Sequence, residues 1–232
     1  MANTTYDALK NLQNQLIRKA GGGSLFLADM TAEVWPSEPF AYTAAVEGPP
    51  AVPAKLELVE APVGYEDFGY LTDDGMAHEN EVSESNVTSF QSVTPTRSDV
   101  TSDVDSLTVT AQETKLLTIG LITGAQLSAG SRNSNTGTLS VAKPERPSAR
   151  HYRGFALAVD GEGDDQFFIG RIYPKLKVTG KAAQSWAKGD DPITWGVTFT
   201  AFYDSTAGYA VRYVFGGMGW RNALADMGFT AL

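Results

Sequence analysis

Cysteine is absent from the 232-residue chain, and histidine occurs only as His78 and His151. Without thiols the chain can form no disulfide, no thiolate zinc site and no cysteine nucleophile. Neither histidine stands in an H-E-x-x-H motif or at another metal-ligand spacing. Because no other catalytic motif is present, we expect no catalytic residue, no metal site and no cofactor.

Long apolar runs and an excess of basic charge are also missing. No stretch approaches the roughly eighteen apolar residues of a membrane-spanning helix, and residues 1–20 are too polar for a signal peptide. We therefore expect a soluble protein made in the cytoplasm, with no membrane partner. The 27 acidic and 18 basic residues give a net charge of −9, which opposes attraction to nucleic acid phosphates.

The charge is distributed unevenly along the chain. Residues 1–110 contain 17 acidic and 5 basic side chains, whereas residues 111–232 contain 10 and 13. A subunit with two differently charged ends is suited to head-to-tail contacts with copies of itself. A solvated acidic surface that only keeps the protein soluble explains the same charge equally well.

The first 23 residues form a separate unit in the sequence pattern. Apolar residues recur there at near-helical spacing, and three glycines follow at 21–23. The apolar residues are Tyr6, Leu9, Leu12, Leu16 and Ile17. The pattern predicts a short helix on a glycine hinge, either packed on its own domain or acting as an arm that docks on a neighbour.

Residues 24–232 are expected to form one β-rich domain. Six of the eleven prolines fall within residues 36–62, which we interpret as an extended surface connection without regular strand pairing. From residue 64 strands and turns dominate, with Asp73-Asp74-Gly75 as a hairpin turn and helices predicted over 113–123 and 220–227. The Ser- and Asn-rich loop 128–140 is expected to be mobile. The predicted fold is mainly β: an antiparallel sandwich or barrel with one or two helices.

Period-two alternation identifies the individual strands. Leu107, Val109 and Ala111 share one face, and residues 155, 157 and 159 alternate with small residues at 154, 156 and 158. Phe167–Tyr173 is apolar on both faces, which predicts a central, covered strand. Residues 193–203 and 209–215 are predicted to pair as a hairpin around a turn at 204–208.

Two charged stripes stand out on the predicted strands. Strict alternation places Asp99, Asp103 and Asp105 on one face, with a slip or bulge expected near Asp105. It also places Lys175, Lys177 and Lys181 together on another strand. Rows of like charge need water or an oppositely charged partner, so each stripe is a solvated face, an intersubunit contact or the lining of an aqueous channel.

Two further features resemble a metal site and an enzyme site, and both give weaker evidence of function than the charged stripes. Residues 160–165 resemble the start of a calcium loop, but Asp165 stands where the loop needs glycine and Arg171 where it needs glutamate. Carboxylate pairs such as Asp190 and Asp191 occur, yet a glycosidase needs two carboxylates facing each other across a cleft. We keep an acid-pair hydrolase as a third hypothesis only.

The segment Gly64–Gly75 carries a resemblance to a known family. It contains an aromatic-Gly-aromatic-Leu-Thr turn followed by two acids and a glycine, and the acidic stretch 79–84 and Pro95-Thr96-Arg97 come next. Together with residues 107–113, which run into an apolar helix, and the closing strands over 155–160, 167–177 and 193–204, this pattern resembles the major tail proteins of long-tailed phages of actinobacteria. The likeness covers roughly residues 60–215.

The resemblance implies a tail-tube β-sandwich and a structural, non-enzymatic role in the virion tail. It further implies hexameric rings that stack into a tube for DNA passage, assembled with a tape-measure protein and capped by tail-terminator and tail-tip proteins. The competing hypothesis is a carbohydrate-binding or decorating β-sandwich on a virion or cell surface, in which Trp35, Trp186 and Trp220 stack on sugars.

Overall fold

A computed structural model describes residues 5–47, 53–143, 145 and 150–230. The described residues form ten strands: β1 (Gly22–Asp29), β2 (Phe40–Thr43), β3 (Lys55–Leu58), β4 (Glu66–Asp67), β5 (Leu71–Val87), β6 (Arg97–Ala111), β7 (His151–Asp160), β8 (Phe167–Lys181), β9 (Trp195–Ala201) and β10 (Arg212–Gly216). The helices are α1 (Tyr6–Leu9), α2 (Leu116–Thr123) and α3 (Met218–Asn222), with single 3-10 turns at Asn14–Leu16 and Gly163–Asp165. The predicted mainly β, antiparallel fold is confirmed.

One large antiparallel sheet has the strand order β4-β1-β7-β8-β9-β6-β5. Its two ends are joined by a single stretch of chain, because β4 pairs with β1 and β5 pairs with β6. Between them the Phe68 amide donates to the Leu25 carbonyl and the Gln112 amide donates to the Tyr70 carbonyl, both at 2.8 Å. The sheet therefore curls back on itself and encloses a core.

The enclosed face holds the first hydrophobic core. Its buried residues include Leu25, Leu27, Phe68, Leu107, Val109, Tyr173, Leu176, Val197 and Phe199, and α2 adds Leu121. The alternation predicted for Leu107, Val109 and Ala111 is confirmed, since these side chains are at most 1% exposed. Gly124 ends α2 in the left-handed conformation, as its position in the sequence predicted.

The opposite face of β7 and β8 carries a second core under the chain segment that precedes β4. Phe155, Leu157, Phe168 and Ile172 pack there with Trp35, whose ring centroid lies 4.5 Å from that of Phe155. The small-residue face of β7 looks into the first core instead, as expected. Strand β8 is thus covered on both faces over most of its first half, which confirms the prediction of a central strand.

The N-terminal prediction is wrong in its details. Helix α1 covers only four residues, and Gly22 and Gly23 begin strand β1 instead of forming a hinge. The reason lies in close packing: a Cβ on Gly23 would stand 2.4 Å from the Leu157 carbonyl oxygen of the neighbouring strand. Residues 1–4 of the predicted segment lie outside the described residues.

One predicted turn, one predicted connection and one predicted helix also differ. Asp73-Asp74-Gly75 is an irregularity inside β5, between the pairs Leu71–Ala111 and Met76–Val109, and it is not the end of a hairpin. The proline-rich segment contains the β2–β3 ladder on either side of residues 48–52, which lie outside the described part. Within the helix predicted over 220–227, only the last residues of the short α3 are helical, and turns follow. The mobility of loop 128–140 stays a prediction.

The predicted pairing of the last two strands is also wrong. Strands β9 and β10 both pair with β8, along Leu176–Lys181 and Phe168–Ile172 respectively. Because β8 is 15 residues long, one of its edges accommodates both shorter strands. The turn itself exists, since the Asp204 carboxylate accepts hydrogen bonds from the Thr206 and Ala207 amides at 2.8 and 3.1 Å.

Glycine substitutions in β1 test the close approach of β1 and β7. We expect Gly23→Ala to lower the free energy of unfolding by about 1 to 3 kcal/mol, the usual cost of overpacking. The matched control Gly22→Ala, with nothing within 4 Å of its Cβ, should be neutral or stabilise by up to about 1 kcal/mol. Urea denaturation measures both, and equal small effects would contradict the close approach of β1 and β7 at Gly23.

A projecting acidic ribbon as the candidate interaction surface

Strands β5 and β6 continue as a pair well beyond the rest of the sheet. Strand β9 pairs with β6 only from Ser106 to Ala111, whereas the β5–β6 pairing runs on to Val87 and Arg97. Residues 79–105, which we call the ribbon, therefore project as a two-stranded hairpin, about 30 Å long at the usual rise per residue. Most of its side chains are exposed, and an isolated two-stranded hairpin is only marginally stable in water.

The ribbon combines negative charge with exposed apolar side chains. Its charged residues are Glu79, Glu81, Glu84, Arg97, Asp99, Asp103 and Asp105. Arg97 is paired to Asp99, with Nε 2.6 Å from Oδ2, in a contact too exposed to contribute much stability. At the uncharged tip Phe90 and Val93 are fully exposed. The ribbon is therefore an acidic arm with an apolar end, which suits contact with another molecule.

The structure divides the predicted acidic stripe between two faces. Asp103 and Asp105 lie opposite Val82 and Asn80, on the same side as the buried Leu107. Asp103 also accepts a 2.6 Å hydrogen bond from the Asn80 amide. Asp99 lies opposite Ser85 and therefore on the other side of the ribbon.

A β-bulge causes this division. Ser102 lies opposite Ser83, but the next pair is Val100 with Glu84, so Thr101 is an extra residue in β6. Its hydroxyl donates to the Ser83 carbonyl oxygen at 3.1 Å. An extra residue moves every later side chain to the opposite face, which is why strict alternation gave the wrong stripe. The bulge was expected near Asp105, and that position is also wrong.

The predicted basic stripe is divided in the same way. Lys177 lies opposite His151 and Thr200, but the pairing with β9 is irregular between Val178 and Gly180. Beyond this bulge Lys181 lies opposite the buried Val197, and its ammonium donates to the Ile122 carbonyl near the end of α2. Burial, with Lys143 nearby, lowers the pKa of Lys181. Only Lys175 and Lys177 remain as a basic pair, and they add to burial in lowering the pKa of His151.

A hydroxyl-rich surface continues from the outer side of the ribbon onto the sheet. Leu107 and Phe199 lie opposite each other and point into the first core, so the residues beside them point outward. We call this surface the hydroxyl face: Ser106, Thr108, Thr110, Thr198 and Thr200. The Thr108 and Thr198 hydroxyls are 3.0 Å apart, and Glu79 stands directly opposite Ser106. Glu79, Glu81 and Asp99 therefore share one side with the hydroxyl face.

A polar cluster attaches the ribbon to the body. His78 Nδ1 and the buried Tyr173 hydroxyl share a 2.8 Å hydrogen bond at the point where the ribbon leaves the sheet. Burial, reinforced by Arg171, lowers the pKa of His78 to about 4, and burial raises the pKa of Tyr173. Asp105 Oδ1 is inaccessible and has no hydrogen-bond partner among the described residues. The ribbon root is thus a polar, partly buried contact that holds the ribbon to the body.

The metal, calcium and sugar sites considered in the sequence analysis have less support in the structure than the ribbon. Within the described ranges, no group of three or more acidic or histidine side chains is arranged to hold a metal ion. Asp160, at the start of the calcium-like turn, lies 3.7 Å from the Arg18 guanidinium. Of the tryptophans suggested for sugar binding, Trp35 is buried in the second core and Trp220 stacks on Phe215. Trp186 alone of the three is largely exposed.

The curled antiparallel sheet with its projecting ribbon places the chain among the mainly β proteins. No helix in the described part of the chain is long and apolar enough to cross a membrane. Residues 11–213 match the family model of the phage tail tube protein, so the chain belongs to that family. It is a structural subunit of a phage tail tube, located in the virion tail. No curated protein matches the chain.

The histidine at the ribbon root gives a pH-dependent stability. Because the folded-state pKa of His78 lies near 4 and the ordinary value is 6.5, the unfolded chain binds a proton first as pH falls. We expect the free energy of unfolding to be constant above pH 6.5 and to decrease as pH falls from 6.5 toward 4. Urea midpoints measured across this range should decrease less for His78→Gln than for the wild type.

His151→Gln is the matched control for that measurement. The pKa of His151 is also lowered, but this side chain is less enclosed, so its removal should flatten the pH profile less. An unchanged profile in His78→Gln would contradict a buried, neutral histidine at the ribbon root.

Proposed function

We propose that six copies of this chain form a ring, that rings stack into the tail tube, and that DNA passes through an acidic lumen during ejection. The observation that carries the proposal is the ribbon: a long hairpin with open edges, negative charge and no third strand among the described residues. The family supplies the tube, and the ring number, the lining and the passage of DNA are our inference from it.

The open edges of the ribbon favour assembly into a closed ring. Beyond Ser106 both strands present unpaired backbone donors and acceptors, which attract strands of other molecules. Pairing with ribbons or strands of neighbouring subunits satisfies these groups, and closure into a ring leaves no strand at the end of the row. The same pairing stabilises a hairpin that is weak alone.

The hydroxyl face and the outer side of the ribbon are the proposed lumen wall. Threonine and serine hydroxyls make a polar wall, and Glu79, Glu81 and Asp99 give it negative charge. DNA carries about one negative charge per 1.7 Å of axis, so this wall repels it within a Debye length of about 8 Å. The duplex slides because the wall does not bind it.

The other components follow from the family role. A tape-measure protein fills the lumen during assembly, and tail-terminator and tail-tip proteins close the two ends of the tube. An actinobacterial host is part of the proposal, because the quoted motifs resemble the tail proteins of phages from that group. DNA makes no specific contact in this arrangement.

A second arrangement is favoured by the spacing of the charges. Asp103 and Asp105 are two residues apart on one strand, and so are Lys175 and Lys177, which gives both pairs a spacing near 7 Å. In this arrangement the ribbon of one subunit lies across the hydroxyl face of the next, and the four charges pair. The face would then be an interface, and not the wall of the lumen.

The lumen arrangement is tested first by microscopy of the wild-type protein. Concentrated protein viewed in negative stain should show rings or tubes of even bore. Monomers at every salt and protein concentration would contradict the proposed assembly.

Charge reversal on the proposed wall tests its role in DNA passage. Glu79→Lys, Glu81→Lys and Asp99→Lys together should leave tubes intact, because the side chains face an aqueous lumen, but should slow DNA release and lower the infectivity of virions carrying the change. Asp73→Lys and Asp74→Lys, at exposed positions outside the ribbon, are the matched control. Normal DNA release by the wall variant would exclude this face as the lumen.

Charge exchange separates the two arrangements. If the aspartates pair with the neighbouring lysines, Lys175→Asp with Lys177→Asp should abolish tubes, and adding Asp103→Lys with Asp105→Lys should restore them. Asp99→Lys, on the other side of the ribbon, should not restore them. Tubes that form normally with Lys175→Asp and Lys177→Asp alone would contradict this pairing and favour the lumen arrangement.

A further inference from the structure

A positively charged surface borders the hydroxyl face, in a chain whose net charge is −9. We call His151, Lys175 and Lys177 the basic patch. Lys175 and Lys177 flank the buried Leu176 on β8, so both side chains point away from the first core. Lys177 lies opposite His151 on β7 and opposite Thr200 on β9. The basic patch therefore continues the outward surface to which the hydroxyl face belongs.

The cations of the basic patch are not neutralised within the subunit. Among the described residues, neither lysine forms an ion pair with a carboxylate. Asp204 lies near Lys175, but hydrogen bonds from two turn amides lower the pKa of its carboxyl, and Arg153 adds to the effect. The lysines and the histidine are only partly buried, so a ligand in solution can reach them.

The acidic residues of the ribbon lie too far away to cancel this charge. Glu79, Ser106, Thr200 and Lys177 are successive partners across β5, β6, β9 and β8. Glu79 is therefore three strand spacings, or about 14 Å, from Lys177. The Debye length is about 8 Å at physiological salt, so the attraction between them is largely screened. The two lysines are about 7 Å apart along β8 and act together on one ligand.

The chemistry of the basic patch matches a phosphate backbone. Each lysine ammonium has three N–H donors and no acceptor, which suits the oxygens of phosphate groups. The exposed Phe202 ring packs edge-on against the His151 imidazole, with the centroids 6.0 Å apart. This contact holds the imidazole beside the lysines. The cargo proposed for the tube is a polymer of phosphates, and the basic patch borders the face proposed as the lumen wall.

We propose that the basic patch is a phosphate-contact site for a nucleic-acid backbone. The inference rests on the proposed lumen arrangement and adds one element to it: each subunit repels DNA over most of the wall and attracts it at one place. Phosphate contacts carry no sequence information, so DNA of any sequence touches each subunit at the same place.

The two histidines of the chain make the contact observable in the free, full-length protein. The probe is a short DNA duplex of mixed sequence, added while the imidazole proton signals are followed by NMR. The His151 signals should move and reach saturation, whereas those of His78, at the ribbon root, should stay in place. His151→Gln assigns the signals. Unmoved His151 signals, or equal movement of both histidines, would overturn the proposal.

Inorganic phosphate separates a site for a free anion from a contact to the polymer. Two neighbouring lysines bind two linked phosphates better than one, so inorganic phosphate should move the His151 signals only at a much higher concentration than DNA phosphate does. Movement with inorganic phosphate at an equal or lower concentration would overturn the assignment to a nucleic-acid backbone.

Salt dependence measures how many phosphates the basic patch contacts. Lys175→Gln with Lys177→Gln, the patch variant, loses two contacts, and each contributes about 0.9 to the slope of log affinity against log salt. A salt increase from about 50 to 200 mM should therefore weaken DNA binding about tenfold more for the wild type than for the patch variant. Fluorescence anisotropy of a labelled duplex measures both, and a patch variant that no longer binds gives the same support.

Lys55→Gln with Lys188→Gln is the matched control for the patch variant. It removes the same charge from exposed sites outside the basic patch, so both variants have the same net charge. The control should keep the salt dependence of the wild type. Circular dichroism checks that each variant is folded. Equal salt dependence in the patch variant and the control would overturn the proposal.

Tube formation is read separately from DNA binding. If wild-type protein forms tubes that release DNA but the duplex leaves the His151 signals unmoved, the phosphate contact fails and the proposed function stands. If the duplex binds at the basic patch but wild-type protein forms no tubes, the phosphate contact stands and the proposed function fails. A patch variant that forms no tubes but binds DNA like the wild type would assign the lysines to subunit contacts, which overturns the phosphate contact.

Discussion

Backbone hydrogen bonding at strand edges is the constraint on which both the fold and the assembly of this chain depend. In the body the constraint is met internally, because residues 66–71 pair first with β1 and then with β6 and so join the two ends of the sheet. Beyond Ser106 strands β5 and β6 leave the sheet as a pair, and their outer edges are unpaired. The body therefore satisfies its own strand edges, and in the proposed assembly the open edges of the ribbon are paired by neighbouring subunits.

The long strand β8 organises the rest of the body. It is paired along one edge by β7 and along the other by β10 and β9 in succession. The two halves of β8 therefore have different surroundings. In the first half Phe168 and Ile172 pack in the second core while Ile169 and Arg171 are partly exposed on the other face, and the second half borders the hydroxyl face. One strand thus connects the covered part of the sheet to the part proposed to face the lumen.

Much of the fold was predictable because burial follows a period of two along a strand. Leu107, Val109 and Ala111 were correctly placed in the core, as were Phe155 and Leu157 on the opposite side of the sheet. The pairing of β10 was not predictable, because a turn such as Asp204–Gly208 is equally compatible with a hairpin and with two strands that share a third. The glycines at 21–23 were misread for a similar reason: the sequence shows a glycine but not the backbone that approaches it.

The faces of the charged stripes were harder to predict from the sequence than the fold. The sequence identified the acidic stretch and the lysines, but it could not locate the bulges at Thr101 and Thr179. One extra residue in each strand moved Asp99 and Lys181 to the opposite faces. The contact between the Arg18 guanidinium and the Phe167 ring was missed because the two residues are distant in the sequence, and no local pattern joins them. In both bulges the threonine hydroxyl reaches a carbonyl oxygen of the partner strand, but a threonine in the sequence is at most a weak signal of a bulge.

The negative charge of the ribbon, which in our proposal keeps DNA from the lumen wall, would also act between subunits. Six carboxylates on each ribbon repel those of the neighbouring ribbons, so electrostatics opposes the assembly that the function requires. Assembly must then draw on contacts that do not depend on charge of one sign: backbone pairing along the ribbon, the apolar tip at Phe90 and Val93, and apolar surfaces elsewhere on the body. The bulge at Thr101 divides these carboxylates evenly between the two sides of the ribbon: Glu79, Glu81 and Asp99 on the proposed wall side, and Glu84, Asp103 and Asp105 on the other. The side left for contact with a neighbour is therefore as acidic as the wall, and in the proposed assembly the attraction has to come from the backbone edges and the apolar tip.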